Sequence, residues 1–457
     1  MTPKERKIIY MKAQSGEIQV VIGPRSAVFM PFQNLGLIVV DEEHDGSYKS
    51  ENQHPKYNAI EVATKRMDIQ GGKVILASAT PSMETYYKAK ISEIAHVKIL
   101  SRAGDASKPN IELVDMRLEL KGGNNQVISK QLHQAIEQVL TSGKQVMLLL
   151  NRRGHSTFIS CRSCGFVINC GRCDLPMTYH QKGQKLICHH CLAQQGVPVL
   201  CPTCGSKHIR FFGNGTQKLE EYLNRYFSKF GIGRMDFDTT SSKEGHNNIL
   251  EAFRSKQINV LVGTQMIAKG HDFSSVTLVG IISADNSLFM PDFRANERTY
   301  QLLTQTLGRA GRGKDAGTVI IQTYSPEHEV IQDVKFDRQH QFYERELEAR
   351  ELNGYPPYNY LFNVLISGNN ENTVIQKANH LADYYKVYNR KKLFRIIGPV
   401  QATIGKIADE YRWKIMIVGT RREILLLFGR YCIDKFAEKE CTNFIKIGWD
   451  IDPRNMI

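Results

Sequence analysis

Four Cys-x-x-Cys pairs at one spacing, Cys161 with Cys164, Cys170 with Cys173, Cys188 with Cys191 and Cys201 with Cys204, constrain this chain more than any other feature. Two thiolates separated by two residues can share one tetrahedral ion, because a tight knuckle turn aims both sulfurs inward. Eight thiolates therefore make two closed four-thiolate zinc sites. Closed sites leave no open coordination position, so these ions are expected to be structural. Gly165, Gly171 and Gly205 supply turn conformations within or just behind three of the pairs. Redox dithiols are the competing reading of one Cys-x-x-Cys pair, but four pairs in succession exceed any single dithiol chemistry. The spacing admits a nested pairing, outer pairs together and inner pairs together, which suits a long hairpin, and also an interleaved one. His180, His189 and His190 are read as surface residues, since eight cysteines already fill the ligand count.

Around this block the chain alternates helical and strand patterns. Residues 4–14 read as a charged helix, 18–22 as a strand, 35–44 as a strand ending in DEEH, and 73–80 as a third strand. The pattern opens without a leading strand and glycine-rich loop, so it reads as the second half of an α/β domain. Residues 101–124 loosen in composition and suggest a linker. A helix at 127–140 and the strand QVMLLLN begin a second α/β unit, which the cysteine block interrupts and which resumes from Phe211. The tail carries a charged helix, the Pro356–Pro357 turn and alternating strands, as in a small α+β domain. The divisions expected are 1–105, 106–160, 161–210, 211–327 and 328–457. The opening MTPKERKIIYMK has no apolar leader core, and no stretch approaches the ~20 apolar residues of a membrane span. A cytoplasmic location is the expectation, and ten cysteines there argue for metal over disulfides.

LGLIVVDEEH runs six mostly apolar residues into Asp41, Glu42, Glu43 and His44. Such a run reads as a strand buried on both faces, as in parallel sheets flanked by helices. Ligands of those sheets sit at the carboxyl ends of strands. Asp41 and Glu42 are placed there to hold a divalent cation through water and to polarise an attacking water beside a nucleotide phosphate. An acidic helix N-terminus explains the same residues, and this stretch alone does not choose. Further on, residues 260–273 run a buried strand into a Gly-, Thr- and Lys-rich turn. A helix carrying Gln305 follows, with Arg309 and Arg312 three apart, which a helical turn would place on one face. Guanidinium groups so presented can stabilise a transferring phosphoryl group. A solvated helix face accounts for an isolated arginine pair; an acidic strand end, a SAT turn and a KG turn in this order favour the phosphoryl reading. The formal charge of +14, from 60 Lys and Arg against 46 Asp and Glu, points to a polyanionic partner such as nucleic acid.

At these residues the chain resembles the superfamily 2 helicases and, more narrowly, the PriA family of replication-restart helicases, also called primosomal protein N′. The match runs in order through GPRSAVF, DEEHDGSYK, ASATPSME, LLLNRRG, the four cysteine pairs, GTQKLEEYL, GTQMIAKGHDF, PDFRANERTYQLLTQ, GRAGR and DIDP. It covers essentially the whole chain, and the zinc block between LLLNRRG and GTQKLEEYL sets this family apart from other helicases. The fold implied is α/β: a partial first RecA-like helicase lobe, a second RecA-like lobe interrupted by a two-zinc cysteine-rich insertion, and a small α+β C-terminal domain. The activity implied is an ATP-driven motor that unwinds DNA 3′ to 5′ at stalled forks and helps reload the replicative helicase. Its cofactors would be two structural Zn2+, ATP and Mg2+. Its partners would be forked DNA, primosome proteins and single-stranded-DNA-binding protein, with no membrane.

Residue by residue, the resemblance puts Asp41 and Glu42 on the magnesium-coordinating and water-activating carboxylates, and Ser78, Ala79 and Thr80 on the motif coupling hydrolysis to strand movement. Gly263, Thr264, Gln265, Lys269 and Gly270, with Asp272 beside them, fall on a motif facing DNA and nucleotide. Gln305, Arg309 and Arg312 fall on the motif sensing the γ-phosphate. Arg25 lies in a DNA-phosphate motif, and Tyr48, Lys49 and Tyr57 in an aromatic-rich loop where base stacking could report DNA occupancy to the adjacent carboxylates. The zinc block is implied to serve partner binding and strand separation.

Two departures stand out. The only GxxxxGK string, residues 308–314 in GRAGRGKD, has Asp315 where a phosphate loop needs Ser or Thr, follows no strand, and lies inside the arginine motif. The family places its phosphate loop, and a duplex- and 3′-end-binding region, before the position that Met1 matches. A fragment, a mis-called start or a split gene is therefore expected, with weak nucleotide affinity and exposed apolar edges on the shortened first sheet. The alternative function is then a truncated, non-hydrolysing, zinc-stabilised module that binds DNA and primosome proteins. Pro24 stands where the family carries Thr in a GTRSA motif, which removes a hydroxyl and a backbone N–H from one phosphate contact.

Overall fold

The run QVMLL is buried throughout because it lies inside an all-parallel six-stranded sheet. A computed structural model describes residues 2–51, 56–99, 108–150, 158–172, 175–180, 184–188, 193–211, 215–235, 243–264, 273–311, 316–440 and 442–454. In spatial order the strands are Ile232–Met235, Val260–Gly263, Gln145–Leu149, Val276–Ile281, Thr318–Thr323 and Asn110–Asp115. Every neighbouring pair is parallel. Val146, Leu148, Leu278 and Ile320 meet Leu132, Ile136 and Leu140 of the helix Lys130–Thr141, whose apolar residues recur every four positions. Ser129 caps that helix by accepting from the Leu132 N–H at 3.1 Å, which sets its start a turn later than the apolar pattern does. Gly280 is required by close approach: a Cβ there would stand 2.7 Å from Leu148 and 3.1 Å from Leu132.

This sheet and the cysteine block belong to one compact unit, Ala95–Leu352, and the remainder, Met1–Ile94 with Asn353–Ile457, forms another. The expected linker is corrected here. Asn110–Asp115 is the sheet's edge strand, in register with Thr318–Thr323, and Met116–Lys121 is helical. Its alternation of polar and apolar residues conceals a strand that has one neighbour only. The helices Glu329–Lys335 and Gln339–Asn353 precede the division between the units.

In the other unit, Leu37–Asp41 pairs in parallel with Lys73–Ala77, and these two strands make up their sheet. The helix Ala59–Gln70 buries Ala59, Ala63 and Met67. Leu37, Val39 and Ile75 are exposed, so the reading of the acidic strand as buried on both faces is overturned; of its residues Val40 alone is buried. The strand expected at 18–22 does not form, for among the described residues no neighbouring strand receives it and Val20 and Ile22 lie in solvent. The charged helix does form, as Pro3–Ser15 with a capping box from Thr2 and Glu5. The C-terminal part is an antiparallel sheet in the order Arg395–Ile407, Glu410–Gly419, Tyr360–Gly368, Lys446–Ile451. Helices Glu371–Tyr388 and Arg422–Lys439 pack Leu381, Tyr385, Leu425 and Phe436 onto Phe362, Val364, Ile415 and Ile417. Among the described residues no helix is long and apolar enough to cross a membrane.

Candidate metal centre and acidic strand end

Cys161, Cys164, Cys201 and Cys204 converge with all four sulfurs within 4.8 Å of one another. The nested pairing is therefore the one adopted for the outer site. Cys161 Sγ is 3.7 Å from Cys204 Sγ, and Cys164 Sγ is 3.6 Å from Cys201 Sγ. Four bonds of ~2.3 Å at tetrahedral angles would separate the sulfurs by about 3.8 Å. The residues thus fit one tetrahedral ion, and a donor set of four thiols suits zinc. Burial pushes the Cys161 thiol up, and burial together with hydrogen bonds among the thiols pushes Cys164 up to about 12. Burial acts the same way on Cys201, but N–H groups of Cys204 and Thr203 outweigh it and hold that thiol at about 7. An ion bound here would release the remaining thiol protons.

The knuckles share one backbone signature. The N–H of the first cysteine donates to the carbonyl five residues on: Cys161 to Phe166 at 2.8 Å, Cys170 to Leu175 at 2.9 Å, Cys188 to Ala193 at 2.9 Å and Cys201 to Ser206 at 2.9 Å. Cys170 and Cys188 are both buried beside Ile168, Met177 and Leu186, while Cys173 and Cys191 lie outside the described residues. His180 is corrected: it ends the strand Thr178–His180 and is buried by the three-stranded sheet that strand joins. His189 and His190 lie outside the described residues.

At the acidic strand end, Asp41 is the last strand residue, exposed, and accepts from the Glu42 N–H at 3.0 Å. His44 Nδ1 lies 2.7 Å from Ser78 Oγ and 3.6 Å from Glu42 Oε2, and Ser78 Oγ accepts from the Thr80 N–H at 2.9 Å. Asp41, Glu42, Ser78 and Thr80 are thus brought together at the carboxyl ends of two parallel strands. Glu43 is the residue that sequence reasoning missed. It turns inward and accepts from the Ser82 N–H at 2.6 Å, Ser82 Oγ at 3.0 Å and Thr85 Oγ1 at 2.9 Å, at the start of the helix Met83–Lys90. Burial pushes its carboxyl above the ordinary range against those hydrogen bonds. Asp41 and Glu42 cap no helix, since the turn that follows is a short 3-10 segment, Gly46–Tyr48, capped by Asp45.

The loop beyond is tied down on both sides. Tyr48 Oη donates to the Asp41 carbonyl at 2.6 Å, and Arg25 donates to the Ser47 and Lys49 carbonyls at 3.0 and 3.1 Å. Tyr57 meets the ring of Phe29 edge-on at 5.1 Å. Lys49, expected to face DNA, is buried: it pairs with Asp450 at 3.0 Å and donates to the Ile451 carbonyl at 2.6 Å. Lys56 donates to the Trp449 carbonyl, and Arg422 bridges Asp452 and Glu61.

In the other unit, Thr264 follows the strand Val260–Gly263, and Gln305 lies in the last turn of the helix Ala295–Leu307. That helix ends at Leu307, so Arg309 sits in the turn beyond it, its N–H donating to the Thr306 carbonyl at 3.0 Å. The helical face expected to carry Arg309 and Arg312 is overturned at that point, where Gly308 and Gly311 loosen the chain. Arg312, Gln265, Lys269, Gly270 and Asp272 lie outside the described residues. The helix is anchored by Arg350, which donates to Glu297 Oε2 at 2.8 Å and Glu346 Oε1 at 3.0 Å in the interior.

The helicase conserved C-terminal domain matches residues 202–314, the PriA DNA helicase Cys-rich region domain residues 170–195, and the primosomal protein N C-terminal domain residues 351–454. The replication restart protein PriA of Bacillus subtilis is 42% identical over 448 residues, which are 98% of this chain and 55% of that protein. The chain spans about half the length of such relatives. RecG bound to a three-way DNA junction is a weaker likeness, 17% identical with a TM-score of 0.38, covering 77% of this chain and 34% of that one. The Rickettsia felis replication restart protein PriA is 36% identical over 456 residues, the whole of this chain and 69% of its own length, and by that match the chain belongs to the PriA family.

Proposed function

We propose that the chain provides motor, zinc and C-terminal parts of an ATP-dependent 3′ to 5′ DNA helicase acting in replication restart and primosome assembly at stalled forks. The observation that carries this reading is His44, held between Glu42 and Ser78 so that it ties the acidic strand end to the SAT turn. Bound ATP and Mg2+ would supply the hydrolysable phosphate and its charge neutralisation, held by Asp41 and Glu42, with Gly270 and Asp272 also assigned to nucleotide. Glu42 takes the role of orienting water, and His44 fixes its carboxylate. Thr80, anchored through Ser78, is assigned with it to coupling hydrolysis to strand movement, and Arg25, Tyr48, Tyr57, Thr264 and Lys269 are assigned to DNA. Gln305, Arg309 and Arg312 are assigned to sensing the γ-phosphate. Two zinc ions, one on the outer and one on the inner cysteine pairs, hold the insertion. DNA, primosome proteins and single-stranded-DNA-binding protein are the partners, in the cytoplasm.

A second reading, a non-hydrolysing zinc-stabilised module that binds DNA and primosome proteins, is favoured by the exposed face of Leu37, Val39 and Ile75. One preparation separates the two. DNA-stimulated ATP hydrolysis that Glu42→Gln abolishes supports the motor; DNA binding with no turnover supports the module. Metal analysis on the same sample should give two zinc ions per chain, and one or none refutes the pairing.

A further inference from the structure

The two knuckles of the outer metal site are alike in chemistry and unlike in surroundings. Gly165 and Gly205 each follow the second cysteine, each is left-handed, at φ +81° and +68°, and each donates its N–H to the first cysteine's carbonyl, at 2.8 and 2.9 Å. A Cβ on Gly205 would meet nothing within 4 Å. On Gly165 it would stand 2.3 Å from the Tyr324 carbonyl oxygen and 3.6 Å from Arg117 Cδ. One knuckle is seated on the six-stranded sheet and its twin is not.

The seat is built from the end of the sheet. Tyr324 follows the strand Thr318–Thr323, and its N–H is shared by both oxygens of buried Asp285, at 3.2 and 3.1 Å, while Thr323 Oγ1 donates to the same carboxylate at 3.0 Å. Arg117 is gripped by Asp115 through Nε at 2.9 Å and Nη2 at 2.7 Å and by Glu327. Its Nη1 is turned to the Cys164 carbonyl, 3.4 Å away. Phe158 and Val167, flanking the knuckle, pack with Phe289 and Tyr324.

We propose that Gly165, Arg117 and Tyr324 form a docking seat that locks the outer metal site to the sheet, so that metal occupancy controls the order of the Tyr324–Ser325 strand end. This rests on reading the four outer cysteines as a metal site. Without an ion the sulfurs lose their common ligand, the knuckle turn opens, and Gly165 leaves the Tyr324 carbonyl. Arg117 is a positioning residue for the Cys164 carbonyl, and such supports tune metal retention about 10- to 100-fold.

The test compares Gly165→Ala with Gly205→Ala in the full chain loaded with cobalt, whose thiolate absorption reports both four-cysteine sites, the outer one being read as the one-ion phase of release that a substitution at its knuckle alters. Both carry the same left-handed strain, so only docking distinguishes them. Gly165→Ala should raise amide exchange at Tyr324 and Ser325 roughly tenfold, as metal removal from the parent does, and hasten cobalt release to a chelator. Gly205→Ala should leave exchange at Tyr324 and Ser325 unchanged. Equal exchange in the two variants, or exchange indifferent to metal, overturns the proposal. Should Gly165→Ala not fold, Arg117→Leu decides: it leaves the knuckle backbone untouched and should speed cobalt release about tenfold, with Arg117→Lys partly restoring it. An unchanged release rate in Arg117→Leu also overturns the proposal.

Discussion

Lys49→Met tests how the acidic strand end is held. Lys49 Nζ lies 3.0 Å from Asp450 Oδ1, with the two side chains 5% and 8% exposed, and also donates to the Ile451 carbonyl at 2.6 Å. Both charges have left water, so removing the cation strands the carboxylate. Methionine fills nearly the same volume, leaves no cavity, and should cost about 3–5 kcal/mol through the unpaired Asp450. The orphaned Ile451 carbonyl contributes about 1 kcal/mol within that range. Lys49→Met/Asp450→Leu replaces the pair by apolar side chains and should return to within about 2 kcal/mol of the parent, so that, with Asp450→Leu alone also costing about 3–5 kcal/mol, the coupling energy is at least about 4 kcal/mol. The chain's two tryptophans, Trp413 and Trp449, both lie in the C-terminal sheet, so urea unfolding followed by their fluorescence reads this unit and not the other. A single-variant loss below about 1 kcal/mol, or a double variant equal to the sum of the singles, would refute the reasoning.

Two further outcomes concern the other unit. Arg350 is 2% exposed between Glu297 and Glu346, and burial already raises the Glu346 carboxyl; Arg350→Met removes the cation that these two acids share and should lower the melting temperature by roughly 10 °C, so a shift under about 2 °C would contradict the anchoring role. His328 is pushed down to about 4 by burial and by Arg345, so the unfolded chain binds the extra proton between its ordinary 6.5 and 4; the stability of the neutral ring is complete above pH 6.5 and lost as pH falls toward 4, by up to about 3 kcal/mol. His328→Asn keeps an acceptor for the Val330 N–H, and stability profiles of parent and variant from pH 4 to 7 should diverge only on the acid side; parallel profiles would count against the buried neutral imidazole. Asp285, raised to about 6 by burial, titrates in the opposite sense in the same window but is common to both proteins.

What the sequence discloses here is what is local in the chain. The hydrogen bonds of a knuckle run within its own few residues, Cys161 N–H to Phe166 and Cys201 N–H to Ser206, so spacing alone exposes it. The interior strands of the parallel sheet are legible because burial on both faces writes a continuous apolar run. Asn110–Asp115 is not, because an edge strand is defined by Thr318–Thr323, far along the chain, and its own residues alternate. Lys49 illustrates the same limit for function: beside Tyr48 it reads as a DNA contact, and only Asp450 reveals it as an internal cation. For Arg309 the failure is one of punctuation, since Gly308 and Gly311 end the helix that the three-residue spacing of Arg309 and Arg312 would extend.

The four titratable side chains that close the acidic strand are divided by the backbone, and the division explains why so many occur together. Regular alternation would put Asp41 and Glu43 on one face and Glu42 on the other. Instead Glu42 adopts φ +48°, a conformation that costs a non-glycine residue about 1–2 kcal/mol. That turn carries Glu43 inward, where three donors from Ser82 and Thr85 meet it, and hydrogen bonds to a charged acceptor contribute about 1.5–3 kcal/mol each. The inward acid therefore offsets the strain at its neighbour and docks the helix Met83–Lys90, which keeps Ser78 within reach of His44. Asp41 and Glu42 are left at the surface, with His44 behind Glu42. A strand end that must present two carboxylates outward on a strained turn needs a third carboxylate inside to hold the turn, and it is Glu43, assigned to no chemical step, that makes the geometry of the other two stable.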